Sequence, residues 1–186
     1  VPVYIIFHGI NPHEQPKFEK QARKVESYQN IHLKVITLRD DFKNSGLHNI
    51  DLIVPPVFKP WKLPVNKSLS FKPPIKIGFF GQFRKEKNLG FFLEAFTRAN
   101  FSVPVELVVQ GATAKPEDGE LFEQFAREYK NYKNITFLHK NLIGIEWQKA
   151  LLSVDAIMMP YAAERYRYHW GAMLFTAIGF YKPVLA

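Results

Sequence analysis

Residues Ile75-Lys76-Ile77-Gly78-Phe79-Phe80-Gly81-Gln82-Phe83-Arg84-Lys85-Glu86-Lys87-Asn88-Leu89-Gly90-Phe91-Phe92-Leu93-Glu94-Ala95-Phe96 carry two hydrophobic periods in succession. Ile75 to Phe80 is an apolar run of strand length closed by Gly81, while Leu89, Phe92, Leu93 and Phe96 recur at i, i+3, i+4 and i+7, the spacing of one helix face. A strand therefore leads through a charged loop into an amphipathic helix.

The same order recurs outward in both directions. Downstream, Val105 to Val109 is a strand closed by Gln110-Gly111. Pro116-Glu117-Asp118 opens a helix with acids leading and bases trailing, as the helix dipole favours, and Leu121, Phe122, Phe125 and Tyr129 fall on one face. Ile135 to Leu138, a helix around Glu146 to Leu152, Ala156 to Met159, a helix around Ala172 to Phe180, and Val184 onward complete that half. Upstream, Val3 to Phe7 reads as a strand buried on both faces and ends at His8-Gly9. Lys17 to Gln29 is a polar helix, Val35 to Leu38 and Ile50 to Val54 are strands, and Asp40 to Ser45 is a short helix or turn. Strands alternating with crossover helices predict an α/β fold with doubly wound parallel sheets.

Length and composition bound the function. The chain has 186 residues, enough for one domain or slightly more, with 47% apolar residues and no cysteine. Thiolate metal sites, disulfides and cysteine nucleophiles are excluded. The net charge is +8, and five of the lysines (Lys59, Lys62, Lys67, Lys72, Lys76) stand between Pro56 and Lys76 with no acid among them. Spaced by Pro60, Pro64, Pro73 and Pro74, they read first as a solvated, semi-stiff connector and second as a patch attracted to an anionic membrane or polyanion. No apolar run is long enough for a membrane span, and nothing points to nucleic acid. The chain does not begin with Met, which predicts a start inside a longer protein or after processing.

Motif searches remove further chemistry. Neither G-x-x-x-x-G-K-[ST] nor G-x-G-x-x-G occurs, His13-Glu14 lacks the second His of a zinc helix, and no Asp-x-Asp pair stands ready for a metal. Asn66-Lys67-Ser68 and Asn134-Ile135-Thr136 match the glycan-acceptor triplet, which chance also produces. What remains are loops beyond the carboxyl ends of strands, where doubly wound sheets bind ligands. In the first, Gly81 permits close backbone approach and Arg84 and Lys87 offer cations, a set suited to a diphosphate or, equally, a solvated turn. Gly111 is a weaker signal, a turn before it is a nucleoside contact. His8 is a general base, a sugar-binding donor or a structural residue. Tyr161 to Trp170, with Glu164 and Tyr168, suits contact with sugar and phosphate, or packing.

In order and spacing, these residues resemble a known family. "IGFFGQFRKEKNLGFFLEAF", "VELVVQG", "NITFLHKNL", "WQKALLSVDAIMMPY" and "GAMLFTAIGFYKPVLA" are similar to the C-terminal domain of retaining, GT-B fold glycosyltransferases of group 1, or family 4. "VPVYIIFHGI" and "VITLRDDFKNSGLHNIDLIVPPV" resemble the tail of that family's N-terminal domain. The resemblance implies a GT-B-like pair of Rossmann-like sheets, incomplete at both ends. Residues 1–55 would belong to the acceptor-side domain, 56–74 to a linker and 75–186 to the donor-binding domain.

It also implies a transferase that moves a sugar from a nucleotide-diphosphate donor to an acceptor hydroxyl, retaining configuration and using neither metal nor cofactor. Lys87 matches the family's phosphate-binding Lys, and its companion Arg falls at Gln82, leaving Arg84 to substitute. Gly171, Ala172 and Met173 match the helix start facing the diphosphate, His139 to Leu142 the loop near the base, and His8 the first-domain His near the reacting sugar. The family's two glutamates fall at Tyr168 and Thr176, and neither is acidic. A grip on the ribose of about 1.5 to 3 kcal/mol becomes one neutral hydrogen bond from Thr176. Two expectations follow: a cytoplasmic glycosyltransferase of polysaccharide or glycoconjugate assembly, taking a saccharide or lipid-linked acceptor at an anionic membrane face, or a non-catalytic nucleotide-sugar binding subunit. A sugar-nucleotide epimerase on the same sheet has no positive mark.

Overall fold

The computed structural model describes the chain except residues 40, 43–45, 66–70, 163–165 and 167. In chain order the elements are β1 (Val3–Phe7), α1 (Gln15–Val25), β2 (Ile31–Ile36), β3 (Ile50–Ile53), β4 (Ile75–Phe79), α2 (Leu89–Arg98), β5 (Val105–Gln110), α3 (Pro116–Glu128), β6 (Ile135–Leu138), α4 (Gly144–Leu152), β7 (Ala156–Met158), α5 (Ala172–Gly179) and β8 (Val184–Leu185). They form two compact units, Val1–Pro56 with Ala163–Ala172, and Val57–Ala162 with Met173–Ala186. Most of the helix or turn expected over Asp40 to Ser45 lies outside the described residues, as does the Asn66-Lys67-Ser68 triplet.

The first unit is a parallel sheet in the order β1-β2-β3. Leu33, Val35 and Ile50 of its strands are buried with Ile10, Ala22, Phe42 and Leu47, and Phe18 and Val25 of α1 pack against them. Phe18, Ala22 and Val25 are spaced at i, i+4 and i+7, so an otherwise polar helix has one narrow apolar stripe for the sheet. One expectation is corrected here. β1 is not buried on both faces: Val3, Tyr4, Ile5 and Ile6 are 42% to 59% exposed. Among the described residues β1 is an edge strand with only β2 beside it, so its apolar side chains have few neighbours to bury them.

The second unit is a parallel five-stranded sheet in the order β6-β5-β4-β7-β8. Ile77, Phe79, Leu107 and Val109 are buried on one face with Leu89, Phe92, Leu93 and Phe96 of α2 and Phe122 of α3. Ile157 and Phe80 are buried on the other with Leu151 of α4 and Met173 and Ala177 of α5. Helices thus cover both faces. The expected helix face of α2 is the buried one, and α3 starts at Pro116 with acids in its first turn and Arg127 in its last. Strand order reverses at β4: the chain runs out to β5 and β6, then returns to β7 on the opposite side. In doubly wound sheets ligands bind beside such a reversal, beyond the carboxyl ends of the strands.

Candidate functional site

A cleft of about 560 Å³ opens where β4, β5 and β6 end, lined by Gly81, Gln82, Gln110, Thr113, Leu142 and Trp147 among others. Its walls continue the sheet as loops. Gln82 bridges to Ala112 in parallel register, with the Phe83 amide donating to the Ala112 carbonyl at 2.7 Å. Gln110 ties three loops together. Almost wholly buried, it accepts from the Gly81 amide at 3.0 Å and donates to the Lys140 carbonyl at 2.5 Å. Trp147 of α4 closes one side, its ring edge-on to Phe80 at 5.8 Å.

Lys87 stands at the Gly81 side of this cleft. Lys85–Lys87 form a single tight helical turn, and Asn88 in the left-handed region (φ 52°) redirects the chain into α2. The lysine is thereby drawn inward to 8% exposure. Its ammonium donates to the Phe80 carbonyl at 3.4 Å and lies 5.0 Å from the Tyr161 ring and 5.8 Å from that of Phe79. Among the described residues no carboxylate pairs with it. Burial, with the like charge of Arg84 adding to it, pushes its pKa down to about 8. Gly81 has φ +106°, and a Cβ there would stand 3.3 Å from the Lys87 Nζ, so glycine both permits the turn and leaves space on that side of the ammonium. Tyr161 follows β7, and the Ala162 amide donates to the Glu86 carbonyl at 3.0 Å, so the β4 loop meets the end of β7 at the point where strand order reverses.

The other candidates are distributed as follows. Leu142 lines the cleft with Gly81. Arg84, half-buried, reaches the Gln82 side-chain oxygen at 3.3 Å. Gly111 stands behind the wall: a Cβ there would come within 2.5 Å of the Phe122 ring, so the position needs glycine for packing. His139 also stands behind it, bonded to Thr113. Thr176 and Met173 are buried in α5, in the second unit. Gly171 and Ala172 group with the first unit, as do His8 and Tyr168. There His8 stacks on Trp170 at 5.7 Å, His169 bonds the His8 carbonyl at 3.1 Å, and Tyr168 lies under the Arg39 guanidinium. Glu164 lies outside the described residues.

Sequence reasoning did not single out Gln82, Thr113, Ile143, Gly144 or Trp147 as binding residues, and it noted Gln110 only as part of a turn. The available signal was positional: each falls within a few residues of a strand's carboxyl end, or on the helix that follows. Among the described residues no group of three or more His, Asp or Glu side chains is placed to hold a metal ion, and no helix is long and apolar enough to cross a membrane.

No family model matches the chain, and no curated protein matches it by sequence. Solved structures do match by fold. One is HepE from Anabaena in complex with UDP and glucose, at 12% identity and a TM-score of 0.63, covering 100% of this chain and 52% of that one. HepE in complex with UDP-glucose matches at 10% identity and a TM-score of 0.51, over 85% of this chain and 46% of that one. Sucrose-phosphate synthase from Thermosynechococcus elongatus matches at 15% identity and a TM-score of 0.57, over 97% of this chain and 49% of that one. The chain thus spans about half the length of the structures it matches. The fold is α/β with parallel sheets, of the GT-B type.

Proposed function

We propose that this chain is the donor-binding part of a glycosyltransferase that moves a sugar from a nucleotide-diphosphate sugar to an acceptor hydroxyl. One observation carries the reading: a buried ammonium with no carboxylate partner among the described residues, beside a glycine, at one side of a cleft of nucleoside size. A buried cation left in that state is stabilised by an anion that arrives with the ligand. The diphosphate is the fitting anion, and the nucleoside then lies toward Thr113, Leu142 and Trp147. The fold neighbours support this, since HepE was captured with UDP, glucose and UDP-glucose. In this reading residues 1–55 belong to the acceptor-side domain, 56–74 form the linker and 75–186 form the donor domain.

The chemistry follows from charge. As the sugar departs, negative charge grows on the leaving diphosphate, and Lys87 and Arg84 stabilise it with no metal ion or cofactor required. We extend the reading to retention of configuration, to His8 and Tyr168 as sugar contacts, to the helix start at Gly171, Ala172 and Met173 as a diphosphate contact, and to Leu142 and Thr176 on the nucleoside, with Gly111 and His139 supporting the wall behind it. The acceptor is a saccharide or lipid-linked saccharide in polysaccharide or glycoconjugate assembly, at the cytoplasmic face of an anionic membrane that the lysine-bearing connector approaches.

Calorimetry with UDP, and donor-dependent release of nucleoside diphosphate, test the reading. The parent chain is expected to bind UDP and Lys87→Ala to lose most of that binding; equal affinity would remove the phosphate role. A second reading is a nucleotide-sugar binding subunit without turnover. It is favoured by Thr176, buried in α5 where the resemblance expects a ribose-gripping glutamate. Binding without turnover, tightened by Thr176→Glu, would select it.

A further inference from the structure

A chain of three polar side chains stands at the rim of the cleft. Glu123 of α3 meets Nδ1 of His139, which follows β6, and Nε2 of that ring lies 3.0 Å from the hydroxyl of Thr113, in the loop between β5 and α3. Thr113 lines the cleft; the other two do not. The imidazole is held in place by packing. Its ring lies 4.9 Å from that of Phe122, which is fully buried against Phe83.

Hydrogen-bond chemistry gives this chain a direction. A carboxylate only accepts, so the proton of a neutral His139 sits on Nδ1, facing Glu123. Nε2 is then a bare acceptor, and the Thr113 hydroxyl donates its proton to it. With that proton committed, the threonine oxygen has only lone pairs left for a ligand.

We propose that Thr113 is a specificity-determining residue: Glu123 and His139 fix its hydroxyl as a hydrogen-bond acceptor, selecting a nucleobase that presents an N–H at that point of the cleft. The proposal rests on the reading that the cleft holds the nucleoside. For a uracil ring the matching group is N3–H. Glu123 and His139 are positioning residues, acting only through the threonine.

The test is calorimetry with UDP and with N3-methyl-UDP, which lacks the donor. The parent is expected to prefer UDP by about tenfold, the scale of one hydrogen bond to a group otherwise left unpaired. Thr113→Val should lose about tenfold for UDP and the discrimination with it, while Thr113→Ser, which keeps the hydroxyl, should restore both. Glu123→Gln frees the tautomer and should weaken UDP binding about threefold in the parent but not in the Thr113→Val background. Where the His139 ring is neutral, nitrogen NMR should show a single Nδ1–H tautomer in the parent and a mixture of tautomers in Glu123→Gln. Equal UDP affinity in parent and Thr113→Val would overturn the proposal alone, as would a Glu123→Gln loss of the same size in both backgrounds, which would mean that the chain merely fastens α3 to the β6 loop. Failure of the parent to bind UDP at all would overturn this proposal and the nucleoside reading together.

Discussion

The two units are built on one plan and end in different states. Each is a parallel sheet whose strands are short apolar runs, and Val3 to Phe7 reads as readily as a buried strand as Ile75 to Phe79 does. In the second unit β4 is the central strand of five, with α2 and α3 over one face and α4 and α5 over the other. In the first, β1 is an edge among the described residues, and its four leading side chains are exposed. Burial is thus a property of a strand's neighbours as much as of its composition.

Truncating one apolar side chain in each unit separates the two directly. Leu93 on α2 is fully buried in the second unit's core, so Leu93→Ala should cost about 2–5 kcal/mol of that unit's stability. Ile6→Ala on β1 removes a half-exposed side chain and should cost about 0.5 kcal/mol or less. Denaturant unfolding of both variants checks the contrast. A loss from Ile6→Ala as large as that from Leu93→Ala would mean that β1 is covered in solution.

Next in size is Lys87, where the second unit holds a charge that its own interior opposes. The folded pKa of about 8 lies below the ordinary 10.5, so between those values the unfolded chain keeps a proton that the folded chain has released. Stability should therefore rise as pH climbs from 8 toward 10.5, and below pH 8 the full cost of the buried charge, up to roughly 3 kcal/mol, is present. Lys87→Met replaces the ammonium with an apolar chain of similar length. It should raise the melting temperature of the unliganded chain, flatten that pH dependence and abolish UDP binding. If the diphosphate is held as proposed, UDP affinity in the parent should fall above pH 8, where the Lys87 cation is lost. A variant less stable than its parent would show that the ammonium is already satisfied without ligand.

How far the sequence could be read divides along similar lines. The helix face of α2 and the dipole-matched α3 were legible, because a 3.6-residue period and a charge gradient are local signals. The parallel sheet was legible from alternation alone. The exposure of β1 was not, because no residue within Val3 to Phe7 encodes what lies beside it. At the site, Gly81, Arg84 and Lys87 stand close together in sequence and could be read as a loop. Thr113, Glu123 and His139 are up to 26 residues apart, and only the β5-α3-β6 crossover brings them together. Gln110 ends an apolar strand with nothing to mark it, and its role depends on two carbonyl and amide groups from other loops.

The smallest effect compares how each unit fastens its loops. In the second, Gln110 is a neutral, almost fully buried amide serving the Gly81 N–H and the Lys140 carbonyl. In the first, Arg39 does similar work with a charge: it donates to the Ile10 carbonyl at 2.7 Å, to Gln15 at 3.3 Å and to both oxygens of Asp41 at 2.9 Å. Gln110→Leu keeps much of the volume but strips two backbone groups of their partner, and should cost about 2 kcal/mol while widening the cleft. Arg39→Met strips the one carbonyl of Ile10 but leaves the largely exposed Asp41 to water, and should cost about 1 kcal/mol. Only the Gln110 change should weaken UDP binding, since it alone frees the loops that line the cleft. Thermal unfolding together with UDP calorimetry on both variants separates the two roles, and an equal loss of binding from Arg39→Met would mean that ligand affinity depends on the first unit's loops as well.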